Sequence, residues 1–302
     1  PGAGGALVDG GDEVGQFALP PDGLQSSIMV HMARTLGDIA PKDIDRLPRG
    51  GPDASCLDRL LEPGRFGYLD RGTDGPGLAE RKRNVLRTLQ WVGAGAERFA
   101  AIVLDAVAEV ADPLILELDA GDGALSRLLL DWHPGARVTV TDLDDATVEA
   151  LAAGELGRHP RAEVRAMDAT AIDAADGEFD LAVMALSFHL LPPPAAAQAL
   201  AEGTRVADKL VIIDPPRPPA PVAALQVAAL SPLTPVLGFV RDGLAAGLRS
   251  YSRSALRALA AHADPTITLR VRHLPPLGPQ VVIATRRPAD GSAGAAARRP
   301  ES

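Results

Sequence analysis

The stretch LILELDAGDG, at residues 114–123, decides the fold of this chain. Its first half, LILEL, is apolar except for Glu117, which is typical of a central parallel strand buried on both faces. The glycines that follow allow a ligand to approach the backbone, and a helix that begins after them offers free N–H groups to an anion. Because Ala124-Leu125-Ser126 follows Gly123, the third glycine of a dinucleotide fingerprint is missing. The stretch therefore predicts a strand, a nucleotide-binding loop and a helix.

Strands and helices alternate after this unit. Short apolar runs predict four more strands, and helical patterns lie between them, which together predict a doubly wound parallel sheet. These strands are RVTVT (137–141), AEVRAM (162–167), FDLAVMAL (179–186) and KLVIID (209–214). Two last strands, TITLRVRHL (266–274) and QVVIATRR (280–287), are joined by too few residues for a crossover. They therefore form an antiparallel hairpin.

The rest of the chain divides around this α/β domain, which we place at residues 111–287. The weakly patterned ends, 1–18 and 288–302, are predicted to be disordered tails. Residues 19–110 form a mainly helical N-terminal region. Inside the α/β domain, the proline run 215–221 is expected to be extended, and residues 222–262 read as helices interrupted by prolines.

Charge and cysteine content limit the possible partners. The net charge of −9 disfavours nucleic acids and anionic membranes, since both require a basic patch. A single cysteine, Cys56, allows no disulfide within the chain and no cysteine-rich metal site. The chain has no apolar run of membrane-spanning length and no signal-peptide pattern at its start. We therefore expect a cytoplasmic protein without membrane insertion, nucleic-acid partner or metal.

Acidic residues follow the second and third strands. Asp142 ends the second strand, where a carboxylate can accept both hydroxyls of a ribose. Asp168 ends the third strand, where it can accept the amine of an adenine. Asp144 and Asp145 are better interpreted as the cap and first-turn acid of the next helix.

In this order and spacing, ILELDAGDG, VTVTDLD, VRAMDAT, FDLAVMALSFHLLPP and DKLVIID resemble the successive motifs of class I S-adenosylmethionine (SAM)-dependent methyltransferases. The resemblance spans about residues 78–287. It is greatest to the small-molecule branch that includes the ubiquinone and menaquinone methyltransferases. It implies the strand order 3-2-1-4-5-7-6, SAM as cofactor, and a small, largely apolar substrate. It also implies that residues 20–75 and 222–262 form a lid over that substrate.

The resemblance also implies roles for individual residues. Near the methionine portion of SAM it places the first loop, with Glu117, Gly121 and Gly123. It places Asp142 at the ribose. Leu143, Asp168 and Ala169 would lie around the adenine, and Leu186 and Ser187 would lie near the sulfonium. His189, just after the fourth strand, is the best-placed catalytic base, although a histidine here could also only pack or cap the loop.

One position departs from the family pattern. Asp119 stands where the family usually has the first glycine of the loop, and it adds a side chain and a negative charge near the cofactor. Aspartate tolerates a left-handed backbone, so the fold need not change. An alternative is therefore a methyltransferase-like protein without methyl transfer, either non-catalytic or cyclase-like. An NAD-dependent oxidoreductase is disfavoured by the missing third glycine and the final hairpin. The acceptor and the oligomeric state are left open.

Overall fold

A computed structural model describes residues 41–62, 95–233, 238–273 and 278–286. The predicted tails at 1–18 and 288–302 lie outside these residues. So do the helical patterns of residues 19–40 and 63–94, which belong to the predicted N-terminal region.

Seven strands of the described chain form one mixed sheet. Their bounds are β1 Leu114–Leu118, β2 Arg137–Asp142, β3 Ala162–Ala166, β4 Phe179–Ala185, β5 Ala207–Asp214, β6 Ile267–His273 and β7 Gln280–Arg286. The strand order is β3-β2-β1-β4-β5-β7-β6. Strands β1 to β5 are parallel, and β7 is antiparallel to both β5 and β6. The predicted order and the final hairpin are confirmed.

Helices connect and cover these strands. Their bounds are α1 Cys56–Leu60, α2 Ala96–Ala106, α3 Ala124–Trp132, α4 Asp145–Ala153, α5 Pro193–Val206, α6 Ala220–Leu230, α7 Gly238–Arg249 and α8 Arg253–Ala263. Short 3-10 turns lie at Pro41–Arg46, Leu156–Arg158, Phe188–Leu190 and Ser231–Leu233. The Asp144 side chain accepts from the backbone N–H of Thr147, which confirms its predicted role as the N-cap of α4.

The sheet is buried between two apolar layers, as the continuous apolar strands require. Side chains of β5 alternate between them: Leu210 and Ile212 face the layer that holds α5 and α8, and Val211 and Ile213 face the layer that holds α2 and α3. All four side chains are at most 1% exposed. Because both faces of the described sheet are covered, the strand ends are where we expect a ligand to bind.

Two boundaries differ from the sequence prediction. Helix α6 begins at Ala220, so Pro221 lies in its first turn and not in an extended run. Proline is tolerated there because the first N–H groups of a helix have no partner within the helix. Helix α2 ends at Ala106, four residues before the end of the predicted helical region 19–110, and the N–H of Val110 closes a turn on the carbonyl of Val107 at 2.9 Å.

Helix α8, in the predicted lid segment 222–262, is packed into the core and is therefore not a candidate for the lid. Its side chains Ala255, Leu256 and Leu259 are at most 1% exposed and belong to the same apolar cluster as α5. The helix therefore supports the sheet. Only α6 and α7 remain candidates for the lid.

The described part of the N-terminal region, residues 41–62, packs on the junction between α7 and α8. The backbone N–H of Ser252 donates to the carbonyl of Arg49 at 2.9 Å, and the Ser252 hydroxyl donates to the carbonyl of Gly50 at 2.6 Å. None of the helices described here is long and apolar enough to cross a bilayer.

Candidate functional site

The end of β1 is fixed by two hydrogen bonds at Glu117. The Ser126 hydroxyl, on α3, donates to the Glu117 carboxylate, and the Thr141 hydroxyl, on β2, donates to the Glu117 carbonyl at 2.8 Å. Glu117 is only 3% exposed. Its carboxylate therefore joins the strand to the helix behind the loop, and its role in shaping a pocket stays a prediction.

The loop after β1 adopts a left-handed backbone at three positions. The φ angles are 54° at Asp119, 62° at Gly121 and 70° at Gly123. Asp119 is thus accommodated in a conformation that non-glycine residues seldom adopt, and aspartate is one of the few that tolerate it. A Cβ at Gly123 would lie 2.4 Å from a methyl carbon of Leu156 and 2.8 Å from one of Leu151. A side chain at this position would therefore have to displace both leucines, in addition to adopting an unfavourable backbone conformation.

Asp142 connects the loop to the end of β2. Its carboxylate accepts from the backbone N–H of Gly121 at 2.9 Å and from that of Asp144 at 3.1 Å, and it is 2% exposed. Each carboxylate oxygen keeps a further lone pair for a ligand. The next residue, Leu143, is 63% exposed, so its apolar side chain is available to a flat ligand beside the loop.

The end of β3 carries Asp168 in a tight turn. One of its carboxylate oxygens accepts from the backbone N–H of Thr170 at 2.8 Å and from the Thr170 hydroxyl at 2.7 Å. The following residue, Ala169, is 5% exposed. The structure thus shows a local structural function for Asp168, and adenine binding stays a prediction.

Just after the end of β4 lies a buried polar atom, the hydroxyl of Ser187, that has no partner in the described structure. Leu186 has a φ of 60°, and its N–H donates to the carbonyl of Ile213 at 2.8 Å. Ser187 follows and is 2% exposed. Its buried hydroxyl has no hydrogen-bond partner in the described structure. Because buried polar atoms are nearly always paired, this orphan hydroxyl indicates a ligand-binding position.

His189 is paired with an acid that the sequence analysis did not assign to the site. Its Nδ1 lies 2.9 Å from an oxygen of Asp214, at the end of β5, and its backbone N–H donates to the other oxygen at 2.7 Å. The two residues are 3% and 4% exposed. Nδ1 therefore carries the proton that donates to the carboxylate, which leaves Nε2 unprotonated in the neutral ring. An acid at the end of a parallel strand next to β4 was the available signal for Asp214.

The predicted site residues lie at one edge of the sheet. They lie at or just after the carboxyl ends of β1, β2, β3 and β4, which are neighbours in the strand order. Such an edge is where open α/β sheets bind ligands. Asp214 extends the same edge to β5.

Comparisons with known proteins show similarity to methyltransferases. Residues 115–209 match the model of a family described as a methyltransferase domain. The structure is similar to that of the plantazolicin methyltransferase in complex with SAH, with a TM-score of 0.50, 13% identity and coverage of 82% of this chain and 97% of that one. It is also similar to a protein described as an O-methyltransferase from Nostoc punctiforme PCC 73102, with a TM-score of 0.50, 17% identity and coverage of 91% of this chain and 75% of that one. A search among curated proteins finds no match.

The fold is that of the class I methyltransferases. The strand order with an antiparallel β7 separates it from the dinucleotide-binding order 3-2-1-4-5-6. SAM as the cofactor is what the sequence resemblance implies, and it belongs to the proposal below. The small-molecule branch named by the sequence resemblance is a finer assignment that the fold does not decide.

The residues present are compatible with SAM. The orphan hydroxyl of Ser187, the left-handed loop and the strand-end carboxylates supply polar groups for an amino acid, a ribose and a purine. The described residues contain no cluster of histidine, cysteine, aspartate and glutamate able to hold a metal ion.

An apolar groove opens beyond the end of β5. Its volume is about 600 Å³, and it is lined by the prolines after Asp214 and by side chains of α6 and α7, among them Val222, Val227, Leu230, Leu244 and Leu248. Leu225 and Val222 on α6 are 69% and 45% exposed. The groove thus offers an apolar surface at the same edge as His189 and Asp214.

Proposed function

We propose that the protein transfers a methyl group from SAM to a small, largely apolar molecule. The observation that carries this proposal is the loop at residues 119–123. Its left-handed residues, and the hydrogen bond from Gly121 to Asp142, form a backbone cradle beside a strand-end carboxylate.

The cofactor would be held by the residues that the resemblance implies. Glu117, Gly121 and Gly123 would shape the place for its methionine part, with Ser187 close to the sulfonium. Asp142 would accept the ribose hydroxyls beside Leu143. Asp168 and Ala169 would border the adenine, and Leu186 would line the cofactor near the sulfonium. When bound, SAM supplies a methyl group on a sulfonium that is already activated for in-line displacement, so the chain has to align the acceptor and exclude water.

His189 is proposed as the base for an acceptor with an O–H or N–H group. Asp214 holds Nδ1 protonated, so the lone pair of Nε2 can take the acceptor proton. Loss of that proton would leave the acceptor oxygen or nitrogen with a lone pair for the methyl group that SAM would supply. Asp214 stabilises the resulting imidazolium.

The apolar groove supports an apolar acceptor. A cavity of this size, with apolar walls and few polar groups, is typical of a site for a small organic molecule. The lid proposed from the sequence would then consist of α6 and α7, together with the N-terminal residues that pack at the α7–α8 junction.

A second candidate is a methyltransferase-like protein without methyl transfer. Asp119 favours it, because its side chain projects from a loop position where the family has no side chain. In that case His189 and Asp214 would serve another reaction or only stabilise the turn.

Isothermal titration of the full chain with SAM tests the proposal. We expect binding, and we expect Asp142→Asn to weaken it by roughly 10-fold or more, because a hydrogen bond to a charged group contributes about 1.5–3 kcal/mol. Asp144→Asn is the control, since asparagine also caps helices and Asp144 lies outside the proposed contacts. No heat at millimolar SAM would sink the proposal.

A further inference from the structure

Arg49 is a buried arginine that reaches the candidate base from the N-terminal region. It is 8% exposed, although arginine is seldom buried. One nitrogen of its guanidinium donates to the carbonyl of His189 at 3.1 Å and to the carbonyl of Arg249 at 3.0 Å. Arg49 thus joins residues 41–62 to the turn after β4 and to the end of α7.

Tyr251 holds the same turn from another side. The Arg49 guanidinium carbon lies 4.2 Å from the centre of the Tyr251 ring. The Tyr251 hydroxyl donates to the carbonyl of Leu191 at 2.7 Å, and its ring meets Phe188 edge-on at 5.7 Å. Burial raises the pKa of Tyr251, so the hydroxyl stays protonated and keeps donating.

Burying the Arg49 cation is costly, and the described structure shows no ion pair that offsets this cost. Burial lowers the pKa of Arg49, although nearby Tyr251 and Glu62 act in the opposite direction. Glu62 accepts from the backbone N–H of Arg49 and lies 3.6 Å from a nitrogen of Arg217. An apolar side chain of similar volume could fill this place at a lower cost in solvation. The position therefore calls for an explanation beyond packing.

We propose that Arg49 is a positioning residue for His189. Asp214 fixes the backbone N–H and Nδ1 of His189, and Arg49 fixes the carbonyl of the same residue. Tyr251 in turn fixes the carbonyl of Leu191. These contacts together hold the imidazole of His189 in a single orientation. Misplacing a reacting group by about 1 Å costs on the order of 100-fold in rate, so such bracing has a catalytic purpose.

The proposal makes the N-terminal region part of the site. Arg49 and His189 are separated by 140 residues in the chain. The carbonyl of Arg49 accepts from Ser252, and the Ser252 hydroxyl donates to Gly50, which keeps the segment in place. The catalytic importance of this bracing rests on the proposed function, but the bracing itself can be tested without methyl transfer.

Nitrogen-15 NMR of the histidine side chains in the full chain tests it, with His189→Gln used to assign the signals. The charged groups that contact His189 are Asp214, at its Nδ1 and backbone N–H, and Arg49, at its backbone carbonyl. In the wild type we expect one neutral tautomer, protonated at Nδ1, and a Nδ1 proton protected from exchange. In Arg49→Met we expect loss of that protection and mixed tautomers, and in Arg49→Lys an intermediate result.

The control is Arg59→Met, an exposed arginine of α1 in the same segment, which should leave the His189 signals unchanged. A merely structural arginine would lower the melting temperature without changing the tautomer. Wild-type His189 signals in folded Arg49→Met overturn the proposal. If Arg49→Met does not fold, Arg49→Lys is judged by the same criterion. SAM titration is independent of these signals, so failure of the proposed function would be recognised separately.

Discussion

At the scale of single residues, two acids have opposite consequences for the proposed chemistry. Asp214 fits methyl transfer, because it sets the tautomer of His189 and leaves Nε2 as an acceptor. Asp119 raises the question of whether the cofactor can approach the loop. Its φ of 54° shows that the backbone keeps the left-handed form a glycine would have there. Any effect of Asp119 on a bound cofactor would therefore come from its side chain.

We predict that Asp119→Gly binds SAM more tightly than the wild type, by roughly 10-fold, which corresponds to about 1.4 kcal/mol. Glycine removes the volume at the point where the backbone would approach the cofactor, and it adopts the required φ readily. Asp119→Asn is the matched comparison, because asparagine keeps the volume, tolerates the same backbone and removes only the charge.

Titration calorimetry on the three proteins separates the causes. Tighter binding in both variants would assign the effect to charge, and tighter binding in the glycine variant alone would assign it to volume. If neither variant binds more tightly, Asp119 does not obstruct the cofactor, and the methyltransferase-like alternative loses its main support.

At the scale of elements, the loop after β1 depends on the helix that follows β2. Gly123 packs against Leu151 of α4 and Leu156 of the next turn. The loop that would cradle the cofactor is therefore held by side chains from a different βα unit.

We predict that Gly123→Ala destabilises the fold more than Gly177→Ala. Both glycines have positive φ angles, 70° and 66°, so both alanines suffer backbone strain of about 1–2 kcal/mol. A Cβ at Gly177 meets nothing within 4 Å, whereas one at Gly123 overlaps two leucines. Overpacking adds about 1–3 kcal/mol in a well-packed core. Urea denaturation measures both losses, and equal losses would show that the leucines move aside freely.

The sequence predicts the elements of this site better than the contacts between them. Short apolar runs separated by helical patterns predict the strands, and the short connection before β7 predicts the antiparallel hairpin. The pairing of His189 with Asp214 depends on the position of β4 beside β5 and on the path of the turn after β4, and no single motif shows it. The contact of Arg49 with His189 depends on tertiary packing across 140 residues, and no local pattern encodes it.

At the scale of the whole molecule, one ion pair attaches the connection between β3 and β4 to helix α5, and we expect it to contribute to stability toward acid. Arg205 on α5 donates to both carboxylate oxygens of Glu202, at 2.9 and 2.7 Å. It also donates to the carbonyls of Ile172 and Ala174, in the connection between β3 and β4. Glu202 in turn accepts from the backbone N–H of Ile172 at 3.0 Å. The pair thus attaches that connection to α5.

We predict that the stabilisation which the Arg205–Glu202 pair gives to the folded state is lost as the solution becomes acidic. The hydrogen bonds from Arg205 hold the pKa of Glu202 below its usual range. A carboxyl with a lowered pKa in the folded state binds fewer protons than in the unfolded state, so its stabilisation is present above the unfolded pKa, near 4.3, and is lost as the pH falls through the folded value. The free energy of unfolding, measured in urea between neutral pH and about pH 3, should therefore fall less steeply in Glu202→Gln than in the wild type. Glu109→Gln, at an exposed position, should keep the wild-type slope. Parallel curves for all three proteins would mean that protonation of Glu202 does not affect folding. The acid sensitivity would then have to come from other carboxylates. One of these is Asp264, whose pKa is also lowered by its hydrogen bonds with Thr266.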